Sequence, residues 1–408
     1  MPTLMEGTLK PRDIGDVEAA VKWALGDGKS LDIVGQGSKR AIGRPAQHGA
    51  TLDLTGLTGI TLYEPQELVI SARAGTALAD IEAALAAEGQ ALAFEPIDYG
   101  PVLGEPEGRG TIGGMVAANL AGPRRIKAGA ARDHFLGVTA VSGRGETFKS
   151  GGRVVKNVTG YDLCKLLAGS WGTLGIMTDI TMKVLPRPET EATLVLFGLD
   201  ERAATAAMTK ALGSPHDVSG AAHIPEYLTP RMPIMGRADA ATLLRIEGVA
   251  PSVRHRIASL ERELRQPQMG RLDEAASRAL WRAIRDVKPL AADGDLGSRP
   301  LWRVSTAPAK GCELVGRISP ASQLFFDWGG GLVWIAPPAA PDCGAAGIRR
   351  AVAEVGGHAT LVRGPASSRA AIDVFEPAAE PLRALTRRVK ESFDPKGVLN
   401  PGRMWAGL

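Results

Sequence analysis

Residues 31–40 read LDIVGQGSKR. Ile33 and Val34 are branched apolar residues suited to a strand, and they run directly into Gly35-Gln36-Gly37-Ser38-Lys39. Glycine accepts positive φ, so such a turn can aim successive backbone N–H groups at one point. Ser38 and Lys39 add a hydroxyl donor and a cation, a combination that suits a phosphate. Two better-known phosphate devices fail here. Arg40 replaces the third glycine of the dinucleotide fingerprint, and AIGRPAQHG (41–49) offers no helix to lie beneath a pyrophosphate. GDGKS (26–30) ends like a P-loop, but Trp23 stands where a further glycine is needed, and the preceding residues read as a helix rather than a strand.

One glycine turn is also what any tight connection uses. Two further clusters change the reading: GRGTIGGMVAANLAGPRR (108–125) and GSWGTLGIMTD (169–179). In the first, Thr111, Gly113 and Gly114 precede small residues and Asn119, a backbone that something bulky can approach closely. In the second, Gly172 and Gly175 lead into a strand at Ile176. Three such loops within 180 residues suggest one extended anionic ligand threaded between subdomains.

Around these loops the pattern is mixed α and β. PRDIGDVEAAVKWAL (11–25) is read as a helix burying Val17, Val21 and Ala24, and Thr76 as the cap of a helix over 77–88 that buries Leu78, Ile81 and Leu85. FLGVTAVSG (135–143) and GETFKSGG (145–152) read as a hairpin about Gly143–Gly145. Pro186 and Pro188 end a strand, and the domain boundary is placed there. The chain is thus divided into 1–188 (subdomains about 1–57 and 58–188), 189–372, and a tail 373–408.

The bulk properties exclude several classes. A length of 408 residues exceeds the size at which single cores usually split. A net charge of +4 is spread along the chain, and aromatics are 5%, which speaks against nucleic acid as a partner. Cys164, Cys312 and Cys343 form no C-x-x-C, so neither a disulfide framework, a zinc site nor an iron–sulfur cluster is expected from this chain, and no metal site is assigned. No stretch reaches the roughly 18 apolar residues of a membrane span, and the N-terminus has no leader pattern. A reduced, cytoplasmic protein is expected.

In order, VGQGSK (34–39), GTIGG (110–114), ARDHFLGVTAVSGRGE (131–146), GTLGI (172–176) and FDPKGVLNPGRM (393–404) resemble the FAD-binding family of vanillyl-alcohol oxidase and p-cresol methylhydroxylase. LDLTGLTGI (52–60), GGRVVKNVTGYDLCKLLAGSWGTLG (151–175), KVLPRP (183–188), LWRVSTAP (301–308), FDWGGGLVWI (326–335) and GGHATLVRG (356–364) are similar to the FAD-binding E subunits of bacterial glycolate oxidases. The resemblance implies an α+β fold. A two-subdomain FAD-binding domain of the p-cresol methylhydroxylase (PCMH) type would carry an α+β cap domain and a C-terminal segment returning to the flavin. It implies that Gly35, Gln36, Gly37, Ser38 and Lys39 hold the pyrophosphate. Pro96, Ile97, Thr111, Gly113, Gly114 and Asn119 would lie along the ribityl and ring region. Arg132 and Asp133 match the loop before the hairpin, Gly175 and Ile176 would meet the cofactor by backbone atoms, and Asn400 and Arg403 match the tail closing over it. The first glycine loop has no histidine, so noncovalent FAD is expected; His48 is read as solvated.

For catalysis on a small 2-hydroxy acid, such a fold needs a base and a carboxylate clamp. His358 is the candidate base, the alternative being a strand-end histidine bonded to backbone. Arg303 is the candidate clamp, the alternative being stacking on Trp302. Asp327 and Trp328 either face the flavin or belong to the core; Arg124 and Arg125 are read as a solvated pair or a subunit contact, and Cys164 as core. Related hydroxy-acid dehydrogenases of this fold carry paired metal-binding histidines in the cap, which this sequence lacks. The resemblance therefore implies a subunit of a glycolate oxidase complex. It would work with a second FAD-containing catalytic subunit and an iron–sulfur subunit, and reach a membrane only through them, whether in the cytoplasm or peripheral at the inner face of the plasma membrane. A self-sufficient FAD-dependent 2-hydroxy acid dehydrogenase and a non-redox scaffold are the alternatives.

Overall fold

The computed structural model describes residues 3–5, 7–153, 160–233 and 236–408; the VVKNVT portion of the motif at 151–175 lies outside them. The strand predicted at Ile33 is Leu31–Val34, the last of a four-stranded sheet in which Thr8–Lys10, Ala50–Asp53 and Leu31–Val34 run parallel. The helix Ile14–Gly26 begins where Asp13 accepts the amide of Asp16 at 2.9 Å, and buries Val17, Val21 and Ala24 against this sheet. The C-terminal tail extends the same sheet: Leu31 N donates to Val398 O at 2.8 Å, and Asn400 N to Leu31 O at 3.1 Å.

A second, antiparallel sheet has the order Ile60–Glu64, Val69–Arg73, Ile176–Lys183, Phe135–Val141, Thr147–Gly151. The expected hairpin is present, with Val141 opposite Thr147. Thr76 does not cap the helix that follows it. That helix is Leu78–Ala87 with Ala77 at its N-cap, and the Thr76 hydroxyl instead donates to Arg73 O at 2.7 Å, closing the turn that brings the chain off the strand.

Thr190 begins an eight-stranded antiparallel sheet that ends at Arg363. Its first four strands, Thr190–Phe197, Val218–Ile224, Ala241–Gly248 and Met269–Leu272, alternate with helices in a β-α-β-β-α-β sequence, and so do Leu301–Ser305, Gln323–Asp327, Leu332–Ala336 and His358–Arg363. Each half has the ferredoxin-like strand order 4-1-3-2, and the two join edge to edge where His223 faces Phe326. The inner strands Val218–Ile224 and Leu332–Ala336 are buried on both faces, unlike the edge strand Met269–Leu272.

The last helix, Glu380–Phe393, buries one residue, Lys390. Its ammonium donates to Thr173 O and Leu399 O, each at 2.8 Å, and to Asp394 Oδ2 at 2.5 Å, tying the third glycine loop to the tail.

Candidate functional site

A trough of about 700 Å³ opens between the first two sheets. All three glycine loops line it: Gly35 to Lys39 at the end of their strand, Thr111, Gly113 and Gly114, and Gly172 and Gly175. The glycines serve two purposes. Gly37 holds φ +75°, as the turn requires. Gly35 permits close approach of the loops, since a Cβ there would lie 2.5 Å from Thr111 Oγ1. Loop packing and ligand access therefore share the same small residues, and the trough remains open.

The N–H groups of Gln36, Gly37, Ser38 and Lys39 find no acceptor among the described residues. Four consecutive unsatisfied donors on the wall of a cleft are what an oxyanion needs and what an apoprotein otherwise leaves to water. The Lys39 ammonium donates to Ser38 Oγ at 3.2 Å and has no carboxylate within ion-pair distance. Its pKa falls to about 8, chiefly through burial, with Asp98 opposing and Arg403 reinforcing the shift. A phosphate beside it would reverse that balance.

Asn400 and Arg403 brace this wall. Asn400 is 1% exposed; its Oδ1 accepts Ile33 N and its Nδ2 donates to Trp171 O, both at 2.8 Å. The whole amide is thus used to lock the first loop's strand to the third loop. Arg403 lines the trough, donates to Lys39 O at 2.9 Å, and lies 5.5 Å from the Trp171 ring centroid. Trp171 has φ +53°, a left-handed conformation uncommon for a bulky residue, and forms part of the lining. Sequence reading missed it.

Ser38 and Lys39 also border a second recess of about 900 Å³, which contains Pro96, Ile97, Asp98 and Tyr99 and reaches Arg282 and Arg285. Asn119, with φ +48°, accepts the amide of Arg132 at 2.9 Å and lines neither cavity. Arg132 and Asp133 are exposed and also lie outside both; Asp133 Oδ2 accepts Ala130 N at 2.8 Å. Ile176 is fully buried in the core beneath the first sheet, next to lining residue Gly175. His48 is not solvated as read: it is half-buried, its Nδ1 lacks a partner, and burial lowers its pKa.

The two catalytic candidates come together on neighbouring strands. His358 begins its strand opposite Ser305, and Arg303 pairs with Thr360. Arg303 stacks not on Trp302 but on Trp328, 5.0 Å from the ring centroid; Arg349 takes the Trp302 face at 5.1 Å. His358 is exposed at the start of its strand, and its imidazole pKa is lowered, first by partial desolvation and next by the Arg303 cation. The His358 imidazole makes no hydrogen bond to backbone among the described residues. Arg124 and Arg125 are not a solvated pair. They turn into the junction with the eight-stranded sheet, where Arg124 Nε lies 3.2 Å from Glu247 Oε2 and Arg125 lies 4.9 Å from the Trp328 centroid. Cys164 is core, and burial raises its thiol to about 11.

The chain resembles known proteins along its whole length. Residues 5–151 match the family described as FAD binding domain, and residues 376–404 match FAD linked oxidases, C-terminal domain. It is 38% identical over 391 residues to glycolate oxidase subunit GlcE of Escherichia coli (strain K12), covering 95% of this chain and 96% of that protein. It is 26% identical over 330 residues to glycolate oxidase subunit GlcD of Bacillus subtilis (strain 168), covering 72% of this chain and 68% of that one. Among solved structures, p-cresol methylhydroxylase with substrate bound superposes with a TM-score of 0.72 at 14% identity, covering 97% of this chain and 88% of that one.

Proposed function

Because the chain belongs to the FAD-linked oxidase family of glycolate oxidase subunit GlcE, and is an FAD-dependent oxidoreductase, we propose that it is the FAD-binding subunit of a complex oxidising glycolate to glyoxylate. The observation that carries this reading is the row of four amides without acceptors, Gln36 to Lys39, beside a desolvated lysine in an open trough. A diphosphate would fit that donor set. FAD there would be held without a covalent bond, with Pro96 and Ile97 in the second recess toward its reactive end.

When bound, FAD supplies the acceptor for the hydride equivalent that leaves the substrate's carbinol carbon. The chain's own residues then have two tasks. Arg303 would hold the substrate carboxylate by its planar fork, and the neutral His358 imidazole would take the hydroxyl proton. The electrons would pass on through partner subunits, a second flavin-bearing chain and an iron–sulfur chain, toward a membrane quinone. The division into an FAD-binding part (1–188), a cap (189–372) and a returning tail (373–408) belongs to the same proposal.

The pairing of His358 with Arg303 favours a second reading, a dehydrogenase that turns over alone. An absorption spectrum of the purified chain, repeated anaerobically with glycolate and no partner, separates the two. Flavin bands that glycolate leaves unchanged support the subunit; bleaching supports the stand-alone enzyme; a colourless protein that takes up no added FAD overturns both. Flavin left in the pellet after acid precipitation would overturn noncovalent binding.

A further inference from the structure

The junction between the FAD-binding half and the eight-stranded sheet contains two guanidinium groups that the protein leaves without an acceptor. Arg125 begins the short helix Arg125–Ala128, and Arg303 sits mid-strand in Leu301–Ser305. Both are half-buried, and neither side chain has a hydrogen-bond acceptor or a carboxylate within ion-pair distance among the described residues. They share one platform. The guanidinium carbons lie 4.9 and 5.0 Å from the Trp328 centroid, hence within about 10 Å of each other.

Trp328 is held in place at some cost. Its φ is +54°, a strained conformation for an aromatic residue, and such strain clusters at functional sites. Its N–H donates to Asp327 Oδ1 at 2.7 Å and its indole Nε1 to Gly122 O at 3.0 Å, so the ring edge is committed and the faces remain for the cations. Two further groups adjoin. Tyr99 lies in the second recess and interacts electrostatically with Arg303, and its phenol has no hydrogen-bond partner among the described residues. His358 is coupled to both arginines. Burial lowers the pKa of each guanidinium, outweighing the more distant Asp133 at Arg125 and Tyr99 and Asp327 at Arg303.

We propose that Arg125 and Arg303, stacked on Trp328, form a two-cation socket for a small organic dianion. A monocarboxylate such as glycolate answers one of the two charges; a dicarboxylate answers both. The socket shares Arg303 with the substrate clamp of the reading given above but does not rest on that reading.

Calorimetric titration of the purified, FAD-loaded chain tests the socket with three non-oxidisable probes: malonate, acetate and the neutral malonamide. Malonate is expected to bind at least tenfold more tightly than acetate, and malonamide not to bind. Arg125→Gln and Arg303→Gln should each weaken malonate at least tenfold while keeping the flavin spectrum. Equal affinity for malonate and acetate, or malonate binding unchanged in either variant, overturns the socket. If a variant does not fold, the three-probe comparison on the unaltered chain still decides, because malonamide binding as well as malonate would exclude charge recognition. A chain that binds malonate but is never bleached by a hydroxy acid would keep the socket and lose the catalytic reading.

Discussion

Two clusters of arginines lie where the eight-stranded sheet meets the N-terminal half, and they are treated in opposite ways. In one, Arg245 is 1% exposed and grips Glu95 through both carboxylate oxygens at 2.8 and 2.9 Å; Glu247 lies 3.8 Å away and also takes Arg124 at 3.2 Å. Burial alone would lower the Arg245 pKa and raise that of Glu95, but the paired charges override it in both, leaving Arg245 raised and Glu95 lowered. In the other cluster Arg125 and Arg303 are withdrawn from water onto Trp328 with no carboxylate within ion-pair distance among the described residues. A matched buried ion network holds the eight-stranded sheet in register with the segment that carries Glu95. An unmatched pair of cations is a cost to folding that an external anion can offset.

The contrast can be broken most severely at Arg245. Arg245→Met strands Glu95 inside the junction, and denaturant melts should show a loss of about 3–5 kcal/mol. Arg303→Met should leave the same melt within about 0.5 kcal/mol of the parent or above it, since no partner is orphaned. Equal losses in both variants would erase the distinction.

Lys39 belongs with the unmatched cations, and its partner would be the cofactor phosphate. Lys39→Met should weaken FAD binding by roughly 1.5–3 kcal/mol, the worth of a hydrogen bond to a charged group. The free protein releases this proton near pH 8, against an ordinary 10.5, so FAD affinity should decline as pH rises through 8. Fluorescence titration of flavin from pH 7 to 9.5 should show that decline in the parent and a flat profile in the variant.

Asn400→Ala removes two buried backbone contacts that match the trough wall internally. About 2 kcal/mol of stability should be lost, at about 1 kcal/mol per bond, with faster flavin release in gel filtration.

Asp327 lies between the two clusters and gives an effect that is read only as a pH dependence. Its buried carboxyl is raised from 3.8 to about 7, above all by desolvation, with its hydrogen bond from the Trp328 amide and the Arg245 charge opposing. The folded state therefore binds more protons than the unfolded one between those values, and stability falls as pH rises through that window. Asp327→Asn keeps an oxygen for the Trp328 amide and should flatten the Tm profile between about pH 4 and 7. A variant that retains the slope would place the responsible group elsewhere.

How much of this was legible beforehand differs from residue to residue. Gly35, Gly37, Thr111, Gly113, Gly114 and Gly175 could be read because glycine and small residues next to strand ends carry a local backbone meaning. The returning tail could be read from Asn400-Pro401-Gly402 and its resemblance, though not that Asn400 spends its amide on Ile33 and Trp171. Arg125 was misread because it follows a glycine–proline segment that looks solvated, and nothing local announces a tryptophan some 200 positions later. Arg245 and Glu247 did carry a signal, charged residues inside an otherwise apolar strand, ATLLRIEG (241–248). The doubled β-α-β-β-α-β unit showed only as alternating strand and helix segments, because its halves share topology rather than residues.

By itself the sequence determined where the backbone must turn tightly, which strands are apolar throughout, and that three glycine loops recur in an order suited to one long anionic ligand. These follow from local sterics and periodicity, which each short segment carries within itself. The tertiary structure alone decided which cations receive a carboxylate and which are left for something else. Charge matching depends on distances between residues far apart in the chain, and only packing sets those distances.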